Sequence, residues 1–394
     1  NAIQGSFYLS AGGTINLHND GGYIDLKGDL FIYGGEFNVY GGSIASYWPY
    51  GEDASITMSD GVLDIKEQGI KIYNTAHALN DNITGGRIKC TGYLHLERAD
   101  FTPNAGIFEM YGSTDADIKT INGSRFWDLA IDKVDGGKAS GVKPFTDRDG
   151  TYYNGSKGNS ANAVSNIECY SHLYIDGGTF DLGTYDFSTT GSAAIYGTLE
   201  MNSASNDFSV GWDIHWKPGS TANITNGNFH VNRHWYFESG TNAQIGSGNT
   251  LRFTGDDTQF FYSYDGDAEV GDFIIENTVS AIWLHSSSNQ QMHVSGDMTI
   301  NSGVAFWVQS EDLLVEGTLN VADGGYMRIY DGGLVTTNSD MTLYGDLEVG
   351  EADMMVHGTF DIDPSGELTI YGGSFVYDEG DTYCNIYGIF NITS

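Results

Sequence analysis

Apolar and polar residues alternate in short runs along most of the chain. Near its start the runs are Phe7–Leu9, Thr14–Leu17, Tyr23–Leu26, Leu30–Tyr33 and Phe37–Tyr40. Alternation with a period of two residues is typical of a β-strand that buries one face. No ten-residue segment carries a clear apolar stripe with helical spacing, so we expect helix to be nearly absent. The pattern predicts an all-β protein.

The strand runs belong to a unit that recurs across the chain. The glycine-bounded stretch Gly28–Gly42 returns as His172–Phe180 and as Gly366–Tyr377. A cue of glycine followed by alternating apolar residues recurs between Gly178 and Gly388, often after about 19–25 residues. Repeats of this length are typical of stacked solenoid coils.

Hairpins in a sandwich or barrel are the alternative arrangement for such strands. Asn226-Gly227 has the composition of a hairpin turn, but no similar turn recurs at even spacing. We therefore predict a parallel β-helix, or β-solenoid, with irregular coils of roughly 20–25 residues. Residues 1–394 are predicted to form one continuous solenoid, because no linker separates the strands.

One segment departs from the alternation. Residues 133–166 are rich in Gly, Ser, Asn and Lys and are predicted to form a long inserted loop. The loop is either a solvated excursion or a clasp for the acidic part of another copy. Within residues 133–157, three acids accompany five cations, which are Lys133, Lys138, Lys143, Arg148 and Lys157.

Tyrosine often stands between an apolar residue and a glycine. The apolar residue is expected to point inward and the tyrosine outward, since neighbours on a strand face opposite sides. The glycine is expected to turn the corner with a positive φ. Stacked coils would then form an exposed tyrosine ladder, which either stiffens the sheet or offers a surface for sugars or subunits. Its predicted members are Tyr33, Tyr40, Tyr196, Tyr330, Tyr344, Tyr371 and Tyr387.

Charge narrows the classes of partner. The formal net charge is −35, which argues against nucleic acid and anionic lipid as ligands. No run of 18 apolar residues exists, so no membrane insertion is predicted. Residues 1–157 carry 13 Lys and Arg against 20 Asp and Glu, whereas residues 158–394 carry 4 against 32. This asymmetry would give end-to-end stacking a direction.

Catalytic chemistry finds little support in the motifs. Arg87-Ile88-Lys89 matches a short motif of polygalacturonases, and Asp256-Asp257 resembles their paired acids. Their other two motifs, Asn-Thr-Asp and Gly-His-Gly, are missing. Lys89 with Asp64 is a conceivable base and carboxylate for a lyase, and a cleft pairing Lys89 with several carboxylates would support that hypothesis. No catalytic residue is predicted.

Metal ligands are also sparse. His230 and His234 would share a strand face, but no third zinc ligand is evident. Asp147–Gly150 and Tyr264–Glu269 are loose, oxygen-rich turns of the kind that suits Ca²⁺. We predict no metal site and no cofactor, with Ca²⁺ as a weak alternative.

A family resemblance rests on the segment Phe126–Ile131 together with the recurring glycine-led coils. These resemble the β-solenoid repeats of large secreted surface proteins of Bacteroidota-type bacteria. The resemblance implies an extracellular or cell-surface protein with a structural or adhesive role, and it implies no catalytic residue. The chain begins with Asn1 rather than Met, so we expect a processed product or part of a longer chain.

Both ends of the sequence carry coil-like strands without a recognisable capping helix. Solenoids normally cap their terminal coils, because a bare coil exposes apolar residues and unpaired backbone groups. The sequence therefore predicts a non-enzymatic structural protein that assembles head-to-tail with other copies into a filament. The alternative is an adhesin or carbohydrate-binding surface module, with glycans as partners; a polysaccharide lyase or hydrolase is the third hypothesis. The predicted interface residues are Phe7, Leu9, Ile15, Leu17, Ile386, Phe390 and Ile392.

Overall fold

The protein is a β-solenoid of about 14 turns, which confirms the predicted fold class. No helix occurs in the part of the chain that the structure describes. The computed structural model describes residues 2–3, 6–18, 23–26, 29–41, 43–46, 55–73, 82–97, 101–121, 123–133, 160–163, 165–264, 268–277, 281–286, 291–378 and 384–393.

The chain divides into two compact units, Asn1–Glu200 and Met201–Ser394. The first contains short parallel strands, the last of which ends one residue beyond the unit. These are β1 (Ala2–Ile3), β2 (Phe7–Leu9), β3 (Thr14–His18), β4 (Tyr23–Leu26), β5 (Leu30–Tyr40), β6 (Ser43–Ser46), β7 (Ile56–Ile65), β8 (Ile70–Tyr73), β9 (Asn82–Ile83), β10 (Arg87–Cys90), β11 (Leu94–Glu97), β12 (Ile107–Gly112), β13 (Ala116–Thr120), β14 (Asp128–Lys133), β15 (Ser160–Ala163), β16 (Ile167–Cys169), β17 (Leu173–Gly177), β18 (Thr179–Asp181), β19 (Phe187–Thr189), β20 (Ala193–Ile195) and β21 (Thr198–Met201).

The strands of the second unit are all shorter than β5 and β7 of the first. They are β22 (Asp207–Val210), β23 (Ile214–Trp216), β24 (Thr221–Ile224), β25 (Gly227–Val231), β26 (Trp235–Phe237), β27 (Asn249–Phe253), β28 (Gln259–Ser263), β29 (Ala268–Val270), β30 (Asp272–Ile275), β31 (Ala281–Ser286), β32 (Gln291–Val294), β33 (Met298–Ile300), β34 (Ala305–Gln309), β35 (Asp312–Val315), β36 (Leu319–Val321), β37 (Tyr326–Tyr330), β38 (Leu334–Thr337), β39 (Met341–Leu343), β40 (Asp346–Gly350), β41 (Asp353–Val356), β42 (Phe360–Ile362), β43 (Glu367–Tyr371), β44 (Ser374–Tyr377), β45 (Cys384–Ile386) and β46 (Ile389–Thr393).

In the later part of the second unit, each full turn places one strand in each of three parallel sheets. The turn formed by β40, β41 and β42 stacks on the turn formed by β43, β44 and β45. Leu347 lies opposite Leu368, and Leu368 lies opposite Phe390, so one coil takes about 21 or 22 residues. Coil length varies elsewhere in the unit, in agreement with the predicted irregular period.

The core consists of inward residues stacked in columns. In the first unit one column contains Phe37, Leu63, Ile88, Phe108 and Leu129, each opposite the next on successive strands and all fully buried. The alternation in the sequence produces these columns, because every second residue of a strand faces the interior. Each coil buries its apolar side chains against the coils on both sides of it.

Buried amide side chains in the second unit donate hydrogen bonds. The Gln259 amide donates to the carbonyl of Val231 at 3.0 Å, and the Asn277 amide donates to the Gln259 side chain at 2.8 Å. The Asn249 amide donates to the carbonyl of Ile224 at 3.0 Å. Buried amides therefore bind backbone oxygens where the chain turns between strands.

The glycines that follow tyrosine serve two purposes. Gly41 and Gly372 have φ of 74° and 75°, as the sequence pattern predicts. The prediction is wrong for Gly345 and Gly388, which do not adopt positive φ. A Cβ atom on Gly345 would lie 2.3 Å from the carbonyl oxygen of Gly325 in the preceding coil. The close approach of stacked coils excludes a side chain at those corners.

The predicted inserted loop is described only at its two ends. Lys133 is the last residue of β14, and residues 160–163 form β15, so both ends are strand rather than loop. Residues 134–159, which include Lys138, Lys143, Arg148 and Lys157, lie outside the described residues.

We expect Gly61→Ala to destabilise the first unit by about 2–4 kcal/mol, because Gly61 has a φ of 86° and a Cβ there would lie 2.7 Å from the oxygen of Gly35. Gly12→Ala is the matched control. Gly12 has a φ of 80°, and no described atom lies within 4 Å of the position that a Cβ would occupy, so only the backbone strain of about 1–2 kcal/mol is expected. Denaturant unfolding followed by circular dichroism measures both, and equal losses would contradict the stacking explanation.

Candidate functional site: an open coil and a charged cleft

The last described coil leaves its inward apolar residues open to solvent. Leu368 and Ile370 on β43 are 0% and 6% exposed. The residues opposite them on β46, Phe390 and Ile392, are 41% and 73% exposed. Ile386 on β45 is likewise exposed, although its partner one coil earlier is fully buried. Positions that form the core in other coils are therefore surface in this coil.

The first described strands are covered more completely. Phe7, Ile15 and Leu17 are half-buried, and Phe7 packs edge-to-face on Phe37 with ring centroids 6.5 Å apart. Leu9 is buried within its own chain, so it offers little surface for the predicted interface. The other predicted interface residues of β2 and β3 keep part of their apolar surface accessible.

The predicted tyrosine ladder does not form as one column. Tyr330 and Tyr371 share a column but are two coils apart, because Gly350 lies opposite both. Tyr196, Tyr344 and Tyr387 lie at corners after a strand, not within one. Tyr40 stacks on His18 at 4.6 Å, and Tyr33 lies beside Phe31 at 6.1 Å. Of the seven, Tyr33, Tyr344 and Tyr387 are exposed.

A different aromatic column occupies the outer face of the second unit. His215, Tyr236, Tyr262 and His285 lie opposite one another on β23, β26, β28 and β31. The His215 and Tyr236 rings stack at 4.3 Å, and the Tyr236 and Tyr262 rings stack at 4.8 Å with an angle of 4° between their planes. The stacked rings cover one another's faces, so this part of the column stabilises the sheet instead of offering ring faces to sugars.

Lys133 is not part of an exposed basic surface. Its side chain is buried, and its ammonium group donates to the carbonyl oxygens of Thr91, Tyr111 and Thr114 at 2.7, 3.0 and 2.9 Å. Burial lowers the pKa of Lys133 to about 8, so the group remains mostly protonated at neutral pH. The lysine joins three segments of backbone, which corrects its predicted role in a subunit interface.

A cleft of about 570 Å³ opens on the outer face of the first unit, across β5, β7 and β10. Glycines in the left-handed conformation shape one side of it, since Gly61 and Gly86 have φ of 86° and 79°. Val62 and Ile107 supply apolar surface. The charged residues that line the cleft are Glu36, Asp60, Asp64, Lys66, Arg87 and Lys89.

One column of outward side chains runs through the cleft. Asn16, Asn38, Asp64, Lys89 and Glu109 lie opposite one another on five strands. The Asn38 amide donates to Asn16 Oδ1 at 3.0 Å, and Lys66 Nζ lies 2.9 Å from Asp64 Oδ2. Strand stacking thus brings together groups that are about one coil apart in the sequence.

Glu109 closes the column as a buried carboxylate. It is 2% exposed and lies 3.1 Å from Arg87 Nη1 and 3.3 Å from Lys89 Nζ. Both carboxylate oxygens are within ion-pair distance of a cation, but neither accepts a hydrogen bond of good geometry within the described residues. The two cations compensate the buried negative charge, which would otherwise be costly.

Tyr111 bridges the column from two coils away. Its hydroxyl donates to Asp64 Oδ1 at 2.5 Å, and Lys89 Nζ lies 4.4 Å from the centre of its ring. Burial raises the pKa of Tyr111 well above its ordinary value, and Asp64 acts in the same direction. The hydroxyl therefore stays protonated, and it fixes the carboxylate of Asp64 as an acceptor.

Asp132 lies opposite Tyr111 on the next strand. Burial raises the pKa of Asp132 to about 6, and the neighbouring Glu109 carboxylate acts in the same direction, while Lys89 and Arg87 oppose the shift. Asp132 therefore titrates within a range where ordinary aspartates are already ionised.

The described residues contain no cluster of three or more His, Cys, Asp or Glu suited to a metal ion. His230 lies on β25, whereas His234 precedes β26 in another sheet, so the predicted shared strand face is wrong. Both calcium-like turns fall wholly or partly outside the described residues. Nor does the described part of the chain contain a helix long and apolar enough to span a bilayer.

Part of this cleft is visible in the sequence motifs. Arg87, Lys89 and Asp64 are brought together by the structure, whereas Asp256 and Asp257 are exposed in the second unit. The motifs do not reveal Glu109, Tyr111 and Asp132. In the sequence, these residues are marked only by lying about one coil away from their partners in the column. That spacing can identify them only when the strand register is known.

Comparison with known proteins identifies no relative. No protein-family model matches the chain, and neither a curated protein nor a solved structure matches it. The resemblance to secreted surface proteins of Bacteroidota-type bacteria therefore stays a prediction.

We expect Lys133→Met to lower the free energy of unfolding by about 2–4 kcal/mol, because it removes the buried ammonium group to which three carbonyl oxygens are hydrogen-bonded. Lys71→Met is the control. Lys71 lies over the Tyr93 ring, where the loss should stay near 1 kcal/mol or less. Denaturant unfolding of both variants measures the difference, and similar losses would contradict a structural role for the Lys133 ammonium.

We expect Asp132→Asn to change how stability depends on pH. The pKa of Asp132 is about 6 in the folded chain against an ordinary value of 3.8, so its stabilising contribution is full below pH 4 and is lost as the pH rises through 6. The variant should gain about 1–3 kcal/mol relative to the natural chain between pH 4 and pH 7. Unfolding midpoints across this range test it. Asp117→Asn, at an exposed position, should show no comparable gain.

Proposed function

We propose that the protein is a structural β-solenoid that assembles head-to-tail, with a coil of a second copy covering the open coil at β45 and β46. The main observation in support of this proposal is that Phe390 and Ile392 are exposed at register positions that are buried one coil earlier. An exposed apolar patch built from core positions is a surface that gains free energy when it is covered.

A coil of the same kind is the occupant whose geometry fits best. Among the described strands β46 pairs with β43, and in the proposed assembly a parallel strand of the second copy pairs with the other edge of β46. The strands β2 and β3 each pair with β5 on one side in the same way. Their partly accessible residues Phe7, Ile15 and Leu17 are the apolar surface that a second copy would bring. Contacts of this heterologous type extend into filaments when they do not close into a ring.

The role we propose is structural rather than catalytic, and the location we propose is extracellular or on the cell surface. The tyrosine ladder no longer supports the adhesin hypothesis, because those residues do not stack as one column. The lyase or hydrolase hypothesis keeps one point in its favour. The cleft places Lys89 and Arg87 beside several carboxylates, although both cations form their ion pairs with Glu109 alone among the described residues.

We expect the natural chain to form filaments visible by negative-stain electron microscopy, and Ile392→Lys to abolish them. A lysine at the most exposed inward position places an uncompensated charge in the proposed coil-on-coil contact. Sedimentation velocity should show the variant as a single small species.

Asn391→Lys is the matched control for this experiment. It adds the same charge to the same strand, but on the outer side, where Asn391 Nδ2 now donates to Glu367 Oε1 at 2.8 Å and a lysine can replace that contact. This variant should still assemble. Short particles only in the natural chain, or filaments of Ile392→Lys, would contradict the proposal.

A further inference from the structure

The charged cleft of the first unit is separate from the open coil, and the assembly proposed above does not use it. Its volume and its mixed polar and apolar lining suit a ligand. The volume of about 570 Å³ lies within the range of small-molecule sites, and polar groups converge on it from β5, β7 and β10. Glu109 does not line the cleft itself but pairs with the lining residues Arg87 and Lys89, and its nearly fully buried carboxylate oxygens accept no well-formed hydrogen bond within the described residues.

We propose that this cleft binds a neutral oligosaccharide lying along the direction in which the coils stack. The column through the cleft alternates in hydrogen-bonding character, because Asn38 both donates and accepts, Asp64 accepts and Lys89 donates. Each sugar hydroxyl group can both donate and accept a hydrogen bond. Sugar hydroxyls can therefore pair with the donors and with the acceptors of this column. Val62 and Ile107 contribute the apolar surface that the carbon–hydrogen faces of a sugar require.

The charge balance of the cleft selects a neutral ligand over an anionic one. Lys66 is paired with Asp64, and both Arg87 and Lys89 are paired with Glu109. The lining carboxylates Glu36 and Asp60 add negative charge. Among the described lining residues, no cation is therefore left to attract a carboxylate or sulfate, and the net charge of −35 repels anions at long range.

The spacing of the column explains the orientation. Successive strands in a sheet lie about 4.8 Å apart, so Asn38, Asp64 and Lys89 line the cleft at steps of this size, with Asn38 and Asp64 only 6% and 7% exposed. A pyranose unit in a linear chain advances by a similar distance. A linear glycan along the column can therefore place one sugar on each coil, beside Asn38, Asp64 and Lys89 in turn.

The test is isothermal titration calorimetry with linear hexasaccharides of glucose, xylose, mannose and galacturonate. We expect at least one neutral hexasaccharide to bind with a Kd below about 1 mM, and galacturonate to bind more weakly. Asp64→Asn should weaken binding by about tenfold, because it removes a charged acceptor while retaining the shape of the side chain.

Three further variants keep the test decisive if Asp64→Asn perturbs the fold. Lys66→Met, on the more exposed rim of the cleft, should weaken binding by about threefold to tenfold. Lys71 lies on β8, outside the cleft, so the Lys71→Met variant should bind the hexasaccharide as the natural chain does. Ile392→Lys should also bind normally, which separates this inference from the assembly proposal.

Three results would overturn the inference. One is the absence of binding across the whole neutral series. Another is tighter binding of galacturonate than of any neutral hexasaccharide, which would show that the paired cations are available to an anion. The third is a neutral ligand whose affinity is unchanged by both Asp64→Asn and Lys66→Met, since that ligand would occupy another surface.

Discussion

The burial of each coil depends on the coil next to it. A single turn has no core of its own. In an apolar column such as Phe37, Leu63, Ile88 and Phe108, each side chain is covered only because the same register position repeats above and below it. Parallel, in-register pairing is therefore the interaction on which the rest of the structure depends. It also explains why glycine is required where coils approach closely, as at Gly345 beside the oxygen of Gly325.

The same register organises the outer surface. Residues separated by about one coil become neighbours, so a side chain's partners are set by stacking and not by proximity in the sequence. Asp64 thus meets Lys89 on the adjacent strand and Tyr111 from two coils away. A solenoid can in this way assemble a charged cleft from single residues of successive turns. It can equally assemble a stacked aromatic column such as Tyr236 on Tyr262, whose covered ring faces stabilise the sheet.

The fold could be predicted because its cause is local. Alternation along each strand and the return of glycine-led units are visible without knowing any contact, and the all-β solenoid that they predict is confirmed. The cleft could be predicted only in part, since Arg87 and Lys89 stand out as a motif whereas Glu109 and Tyr111 acquire their roles from register. The same limit accounts for the errors. Lys133 begins a segment that has the composition of a surface loop, but its position at the end of β14 directs its buried ammonium to three backbone carbonyls. The predicted tyrosine ladder failed because the shared motif occurs both within strands and at corners.

The open coil and the cleft differ in whether the neighbouring coil supplies a partner for each side chain. Within the stack, a position is buried when the next coil supplies its partner, so Leu368 is buried and Phe390, opposite it, is exposed. That exposure favours an occupant with the same apolar register, which a second copy has. In the cleft each described lining cation already faces a carboxylate. A ligand there must exchange hydrogen bonds without disturbing the ion pairs, and this requirement favours a neutral, hydroxyl-rich molecule over a charged one.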